Sequence, residues 1–393
     1  MAIEYAGSRR TGTRRRRVEA ADARDLARRF DWLLFGAVAG LIGYGLHLVA
    51  GITRDDVPND PGYYVVRQAV YGTLGGAGMI ALALVDPDVY RRYWRYLYGA
   101  SIAVLLLVLP LGTEVRGSQR WITIGSLQFQ PSELVKLLLV LSLGAFLADR
   151  ARAVTDWRVV LGAVGLAAAP IALVFVQPDI GTSLVYSAAL AAMLFVSGVR
   201  WLHLAALGTV VAAVAVSIVW ALPSVGVQVL EDYQMKRLTA FIDRDAALQD
   251  AGYNVEQSIL AIGAGGLRGR GVEGATQTNF DYLPEHATDF AFASLAEQRG
   301  FVGAAILLLL YLLVVWRGLR VLTYAPDAYS AIVAGGIVLA LLFQVFINVG
   351  MTMGIAPVTG IPLPFVSVGG SSLITNLFAV GVLQAIHARG RRR

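Results

Sequence analysis

Asp281-Tyr-Leu-Pro284-Glu285-His286-Ala-Thr288-Asp289-Phe-Ala-Phe-Ala-Ser-Leu-Ala-Glu297-Gln-Arg299 runs out of a long polar segment straight into an apolar one, which places it where water meets lipid. Four acids fall within it: Asp281, Glu285, Asp289 and Glu297. A helix starting at Pro284, where the missing N–H costs nothing, would put Glu285 and Asp289 on one face at i and i+4. Glu297 would then lie roughly 12 Å deeper, at ~1.5 Å of rise per residue. A carboxylate at membrane depth is costly to hold, so its first reading is functional. The competing reading is structural: Thr288 or Asp289 caps a helix whose N-terminal dipole favours acids. Composition alone leaves the two even.

The rest of the chain decides the setting. Of 393 residues, 56% are hydrophobic and only 15% charged, the composition of a polytopic membrane protein. With no cysteine there is neither a disulfide nor a thiolate-bound metal. His47, His203, His286 and His387 are far apart in sequence, which argues against a histidine metal cluster; His286 reads as a polar rim residue. The net charge of +6 does not indicate nucleic acid, because the basic residues are mostly arginines in short loops between apolar runs.

Ten spans can be placed, at about 32–53, 66–86, 95–112, 132–149, 159–177, 180–198, 202–223, 289–316, 328–352 and 366–387. With both ends inside, 22 of the 33 lysines and arginines fall on the inner side and 8 on the outer, the bias expected of cytoplasmic loops. The expectation is therefore an all-α polytopic membrane protein with ten transmembrane helices, both termini cytoplasmic and a large extracellular loop, 224–288, between helices 7 and 8. Residues 1–30 read as a basic, disordered cytoplasmic tail, 31–388 as the transmembrane domain and 389–393 as a second basic tail.

This orientation puts the unusual loops outside. Residues 113–131 carry Arg116, Arg120 and Trp121; guanidinium groups there suit phosphate, or simply a solvated loop with an aromatic anchor. Glu133 and Lys136 stand at i and i+3 and are expected to pair, as a clamp between helices or with Lys136 binding phosphate. Asp179, in Gln177-Pro-Asp-Ile-Gly181, is first a turn residue. Tyr233 to Phe241, with Lys236 and Arg237, is a short basic amphipathic segment suited to the outer membrane surface. Gly252 to Gly271 reads as a flexible re-entrant segment with Gln257 and Ser258 facing polar substrate. Residues 353–372, ending in Ser371-Ser372, are too rich in proline and glycine for a helix and are expected to line a cavity.

Taken together, Gly117-Ser-Gln-Arg120-Trp121-Ile, Gln130-Pro-Ser-Glu133-Leu-Val-Lys136, Gln177-Pro-Asp179-Ile-Gly181-Thr, Gly252-Tyr253 with Gln257-Ser258, Leu283-Pro-Glu285 with Thr288-Asp289-Phe290, and Asn348-Val-Gly350-Met to Ser372 resemble the SEDS family (shape, elongation, division and sporulation) of peptidoglycan polymerases. Phe30-Asp31-Trp32-Leu-Leu and Asn348-Val-Gly-Met look more like its elongation branch, RodA, than its division branch, FtsW. Val368, where tyrosine is usual, and Phe241-Ile-Asp243, without a common proline, depart from the pattern.

The resemblance implies polymerisation of lipid II into glycan strands outside the bacterial cytoplasmic membrane, with Asp289 as the aspartate needed for activity. Arg120, Glu133, Lys136, Gln257, Ser258, Glu285, Thr288, Ser371 and Ser372 are the implied substrate-binding positions, with Arg116, Asp179 and Lys236 as further candidates. No covalent cofactor is expected; a divalent cation, Mg²⁺ or Mn²⁺ on oxygen ligands, is the alternative to Arg120 and Lys136 for countering a pyrophosphate. The implied partners are a class B penicillin-binding protein and other cell-wall elongation proteins. Small residues Ala331, Ala334, Gly335 and Gly336 would let a partner helix approach at helices 8 and 9, the expected contact, though each taken singly reads better as packing against the protein's own helices. Two other readings stand beside the polymerase: a lipid II flippase, for which Arg67, Glu297 and Arg299 would mark a path, and a non-catalytic scaffold.

Overall fold

The computed structural model describes residues 29–115, 118–124, 127–227, 235, 237 and 251–390. Arg116, Lys236, almost all of both basic tails and most of the Tyr233–Phe241 segment lie outside those residues. Ten long helices follow in chain order: α1 (Trp32–Ile52), α2 (Tyr63–Leu84), α3 (Trp94–Leu111), α4 (Pro131–Asp149), α5 (Trp157–Val176), α6 (Ile180–Val196), α7 (Trp201–Val216), α8 (Ala291–Thr323), α9 (Ala328–Thr352) and α10 (Gly370–Arg389). A π-helical turn carries α7 on to Ser224. Eight of the ten are long and apolar enough to cross a membrane; α6 is shorter, and α2 carries Arg67 and Gln68 among its apolar residues. The one addition to the all-α expectation is a small antiparallel sheet between α3 and α4, ordered β1 (Thr113–Val115), β2 (Ser118–Ile124) and β3 (Leu127–Phe129).

Burial ranks the helices. Most of α4, α9 and α10 is enclosed, whereas the apolar window of α7 is wholly at the surface, as a lipid-facing helix would be. At the cytoplasmic end, Asp31 caps α1 through Leu34 N at 3.0 Å and takes two hydrogen bonds from Arg317 of α8, from Nε at 2.9 Å and Nη2 at 2.7 Å. The Gln384 amide of α10 exchanges hydrogen bonds with the Asp31 backbone at 2.9 and 3.0 Å. A carboxylate only 3% exposed is tolerable here because it is paired and fully hydrogen-bonded, and it ties α1, α8 and α10 together.

At the outer end α8 departs from expectation. Residues 281–290 form turns and the helix begins only at Ala291, so Glu285 and Asp289 do not share a helix face. The cause is local: Asp281 (φ 55°) and Glu285 (φ 57°) both sit in the left-handed region. The helix breaks again at Gly300 (φ 64°, ψ −165°). Breaking a helix at membrane level frees carbonyls and amides that need partners. The glycine-rich turn after the helix Ala251–Gly265 supplies them. Arg270 N and Gly271 N donate to Glu297 O and Gln298 O at 2.9 and 3.0 Å, while Phe301 N and Val302 N donate to Gly266 O and Leu267 O at 2.8 and 3.2 Å. The expected flexible re-entrant segment is thus an ordered clasp on a broken helix. Gly265 and Gly269 are there for close approach, since β-carbons on them would meet Ala296 O at 1.9 Å and Gln298 O at 2.3 Å.

This clasp predicts a contrast between neighbours. Gly265→Ala should destabilise the protein by about 1–3 kcal/mol through overpacking. Gly263→Ala, two residues earlier with nothing within 4 Å of its β-carbon, should be neutral or stabilising by up to about 1 kcal/mol. Thermal unfolding of both variants in detergent checks this, and equal midpoints would refute the clasp.

Candidate active site

Between the outer ends of α2, α4, α6, α8 and α10 lies a cavity of about 760 Å³. Its walls come from α2 (Tyr63, Tyr64, Arg67, Gln68, Tyr71), from the sheet and the start of α4 (Arg120, Gln128, Gln130, Glu133), from Asp179 and Thr182 at α6, from the Glu285–Asp289 turn, and from the irregular segment between α9 and α10. Pro357 to Gly360, Pro362 and Val368 to Ser372 all face it, as the proline- and glycine-rich composition led us to expect. A volume of this size suits the polar head of a sizeable ligand.

Asp289 is half-buried on this wall, and its backbone is fixed from outside the turn. Asn348 Nδ2 donates to Asp289 O at 2.9 Å and to Ile361 O at 2.8 Å. Ser367 Oγ donates to Thr288 O, and Val368 N to Ala287 O at 2.9 Å. Three successive carbonyls are thereby held, Ala287 O and Thr288 O by Val368 and Ser367 and Asp289 O by Asn348 of α9. The helix-capping reading fails: the N-cap of α8 is Phe290, no side chain caps the helix, and Thr288 Oγ1 donates instead to Glu285 Oε2 at 2.7 Å. Gly360 lines the cavity beside Asp289. Its φ is +70°, and a β-carbon there would lie 3.1 Å from Arg237 Nη1 and 3.5 Å from Asp289 Oδ2. Arg237 and Asp289 therefore approach one another across this glycine.

On the facing wall Arg120 Nη1 lies 3.6 Å from Asp179 Oδ1. Asp179 also caps α6, accepting from Thr182 N at 3.0 Å and Thr182 Oγ1 at 2.9 Å. Gln130 Nε2 donates to Asp179 Oδ2 at 3.0 Å, and Gln130 N to Ser371 Oγ at 2.9 Å. Asp179 therefore fills both roles considered for it, turn residue and cavity wall. The Glu133–Lys136 pair forms as expected, Nζ to Oε2 at 3.0 Å, and Lys136 also donates to Gln344 Oε1 at 3.1 Å.

The structure does not gather every candidate. Lys136 is absent from the cavity lining and only 7% exposed, so it props Glu133 from behind and is poorly placed to meet a pyrophosphate. Gln257 and Ser258 are also outside the lining, Ser258 Oγ donating to Thr352 O at 2.7 Å beneath the loop helix. Glu297 is wholly buried and caps the short helix Thr276–Asn279, accepting from Gln277 N, Thr278 N and Thr278 Oγ1 at 2.8, 3.1 and 2.7 Å. The small residues of α9 are packed internally: β-carbons on Gly335 and Gly336 would meet Val196 and Met193 of α6 at 2.6 and 2.8 Å. They are not a docking stripe.

Of the α2 wall only Arg67 is singled out in the sequence, as part of a carrier path, although Tyr64, Gln68 and Tyr71 recur with it at helical spacing in an otherwise apolar span. Asn348 and Ser367 act through backbone carbonyls on distant residues, for which the sequence carries no local signal.

A family described as cell cycle protein, FTSW_RODA_SPOVE, matches residues 31–392. A curated relative, the peptidoglycan glycosyltransferase MrdB of Escherichia coli K12, is 39% identical over 309 residues, which is 79% of this chain and 81% of the relative. Among solved structures, one described as the structural coordination of polymerization and crosslinking by a peptidoglycan synthase complex superposes with a TM-score of 0.77 at 31% identity, covering 91% of this chain and 97% of the other. The rod shape determining protein RodA of Thermus thermophilus superposes with a TM-score of 0.66 at 30% identity, covering 93% and 98%.

The buried pair yields a test. Glu133→Ala and Lys136→Ala should each cost about 3–5 kcal/mol by leaving an unpaired charge. The double variant should cost clearly less than the two together. Strictly additive losses in thermal unfolding would show that the two do not interact.

Proposed function

The chain belongs to the FtsW/RodA/SpoVE cell cycle family, and from that premise we propose that it is a peptidoglycan glycosyltransferase of the elongation branch, polymerising lipid II on the outer face of a bacterial cytoplasmic membrane that it crosses ten times. The observation that carries the catalytic assignment is Asp289: a carboxylate on the wall of the outer cavity, released from helix capping, with its backbone clamped by Asn348 and Ser367.

Joining two lipid-linked sugars requires a base for the acceptor hydroxyl and positive charge for the departing pyrophosphate. Asp289 is the base. Arg67, Arg120 and Arg237 line the same cavity and are the cations, with bidentate guanidinium geometry suited to phosphate. Lys136 leaves that role for a structural one. Glu285, Thr288, Ser371 and Ser372 sit on the lining as hydrogen-bonding partners for the sugars. A catalytic divalent cation is the further proposal here. Glu285 and Asp289 present carboxylate oxygens with no histidine in the lining, a donor set that fits Mg²⁺ or Mn²⁺. Such an ion would add charge against the pyrophosphate.

A flippase needs polar groups to continue inward. Of the three residues proposed for a path, only Arg67 lines the cavity; Glu297 caps a loop helix and Arg299 pairs with His47. A separate pocket between α4, α8, α9 and α10, lined by Lys136, Gln344 and mainly apolar side chains, holds only about 30 Å³. That packing favours the polymerase.

A penicillin-binding protein is the proposed partner, supported by the likeness to a synthase complex in which polymerization and crosslinking are coordinated. With the small residues of α9 occupied, the contact on helices 8 and 9 would use exposed apolar side chains, Leu309 and Leu312 on α8 and Leu342 and Phe346 on α9.

Asp289→Asn should abolish glycan synthesis from purified lipid II while leaving the thermal midpoint unchanged, because no helix cap is lost. Glycan-length analysis on gels reads the first outcome, and retained polymer would refute Asp289 as the base. For the partner, Leu309→Arg should reduce copurification of the transpeptidase without unfolding the chain, whereas Gly335→Leu should destabilise the isolated chain. Unchanged copurification of Leu309→Arg would move the interface elsewhere.

A further inference from the structure

Outside the cavity, Asp56, Asp281 and His286 converge, with one ligand-capable atom of each within 4.8 Å of the others. Asp56 belongs to the loop joining α1 and α2, and the other two flank the start of the turn that leads to Asp289. None of the three lines the cavity. His286 is only 8% exposed, and its Nε2 is buried with no hydrogen-bond partner. That nitrogen nonetheless points at Asp56 Oδ1, 3.3 Å away. Asp281 Oδ1 lies 3.8 Å from the other ring nitrogen, on a side chain that is 83% exposed.

An orphaned buried nitrogen costs about 1–3 kcal/mol, so its retention asks for a partner. A cation held between His286 and the two carboxylates would give that nitrogen its partner. The His286–Asp56 spacing fits too: ligands bound at ~2.0–2.1 Å in a tetrahedron lie roughly 3.3 Å apart, which is the separation of Nε2 and Asp56 Oδ1, and the exposed Asp281 side chain, now nearer Nδ1, would swing in to complete the set. An imidazole among carboxylates selects Zn²⁺ or Mn²⁺ over Mg²⁺, which prefers oxygen alone.

We propose that Asp56, Asp281 and His286 form a second site, distinct from the cavity, for a divalent transition-metal cation. Bound there, the ion cinches the α1–α2 loop to the turn that carries Glu285 and Asp289. Its consequence for catalysis rests on the polymerase reading; its existence does not. The geometry also revises the expectation that His286 is a rim residue with no ligand role.

The test uses the full chain in detergent, stripped with chelator and titrated with Zn²⁺ alone, without lipid II. Binding is read by calorimetry and by the shift in thermal midpoint. Wild type should bind one equivalent and gain stability. Asp281→Asn, at an exposed position whose left-handed backbone asparagine tolerates, should weaken binding at least tenfold with the fold intact. His286→Gln should do the same. Asp289→Asn should bind like wild type. No binding by wild type, or unaltered binding by Asp281→Asn and His286→Gln, would overturn the site. Loss of binding in Asp289→Asn would place the ion in the cavity and equally overturn it. A chain that binds Zn²⁺ as described but makes no glycan would uphold the site and count against the polymerase reading instead.

Discussion

Unsatisfied backbone is the constraint that shapes the outer half of this protein. Two stretches, 281–290 and 353–369, abandon helical geometry where a helix would normally satisfy every amide by itself. They survive because each supplies the other. The carbonyls of Ala287, Thr288 and Asp289 are taken by Val368 N, the Ser367 hydroxyl and the Asn348 amide, and Gln68 of α2 grips Ser367 O and Gly369 N from the far side. The broken α8 obeys the same rule against the glycine turn. A helix entering at Pro284 would have satisfied its own backbone and carried Asp289 in its second turn, on one face with Glu285. Giving up helix there is what presents the carboxylate to the cavity.

Buried charge does related work at two depths. Asp31 with Arg317 closes the cytoplasmic end, and Glu133 with Lys136 sits under the cavity. A buried pair contributes little net stability, but losing one partner is severe, so such pairs fix which helices are neighbours. At the inner end the pair joins α1 to α8 and brings in α10 through Gln384. Under the cavity it joins α4 to α9 through Gln344. The rigid wall formed in this way keeps Glu133 facing the cavity while Lys136 remains inside the bundle.

The helix count and the cavity-lining role of 353–372 were legible in the sequence because hydropathy and proline–glycine content are local signals. So was the Glu133–Lys136 pair, whose i,i+3 spacing leaves few alternatives. What failed were assignments needing knowledge of the third dimension. Gln257 and Ser258 are polar and lie in an outer loop, yet their helix packs on α8 and α9 away from the cavity. Glu297 looked like a deep acid and is a cap for a four-residue helix twenty positions earlier. The small residues of α9 fit a partner helix and fit α6 equally well, and α6 is the one that occupies them. Each error came from reading a residue's type correctly and its direction wrongly.

Direction also separates the functional readings. A carrier has to offer comparable stabilisation to its cargo on both sides of the membrane, because a group bound strongly at one end only is trapped there. The guanidinium groups of Arg67, Arg120 and Arg237, together with Glu285 and Asp289, all line the one cavity at the outer end. At the inner end Asp31 and Arg317 are spent on one another and on Gln384, and Asp88, Arg91, Arg92, Arg95 and Asp149 line a separate, open pocket. Between the two ends lies a mainly apolar pocket with room for little more than a water molecule. In this arrangement the charged groups of the outer cavity are not continued by a polar path through the bundle, which suits a site where bonds are exchanged between two substrates that arrive from the same leaflet.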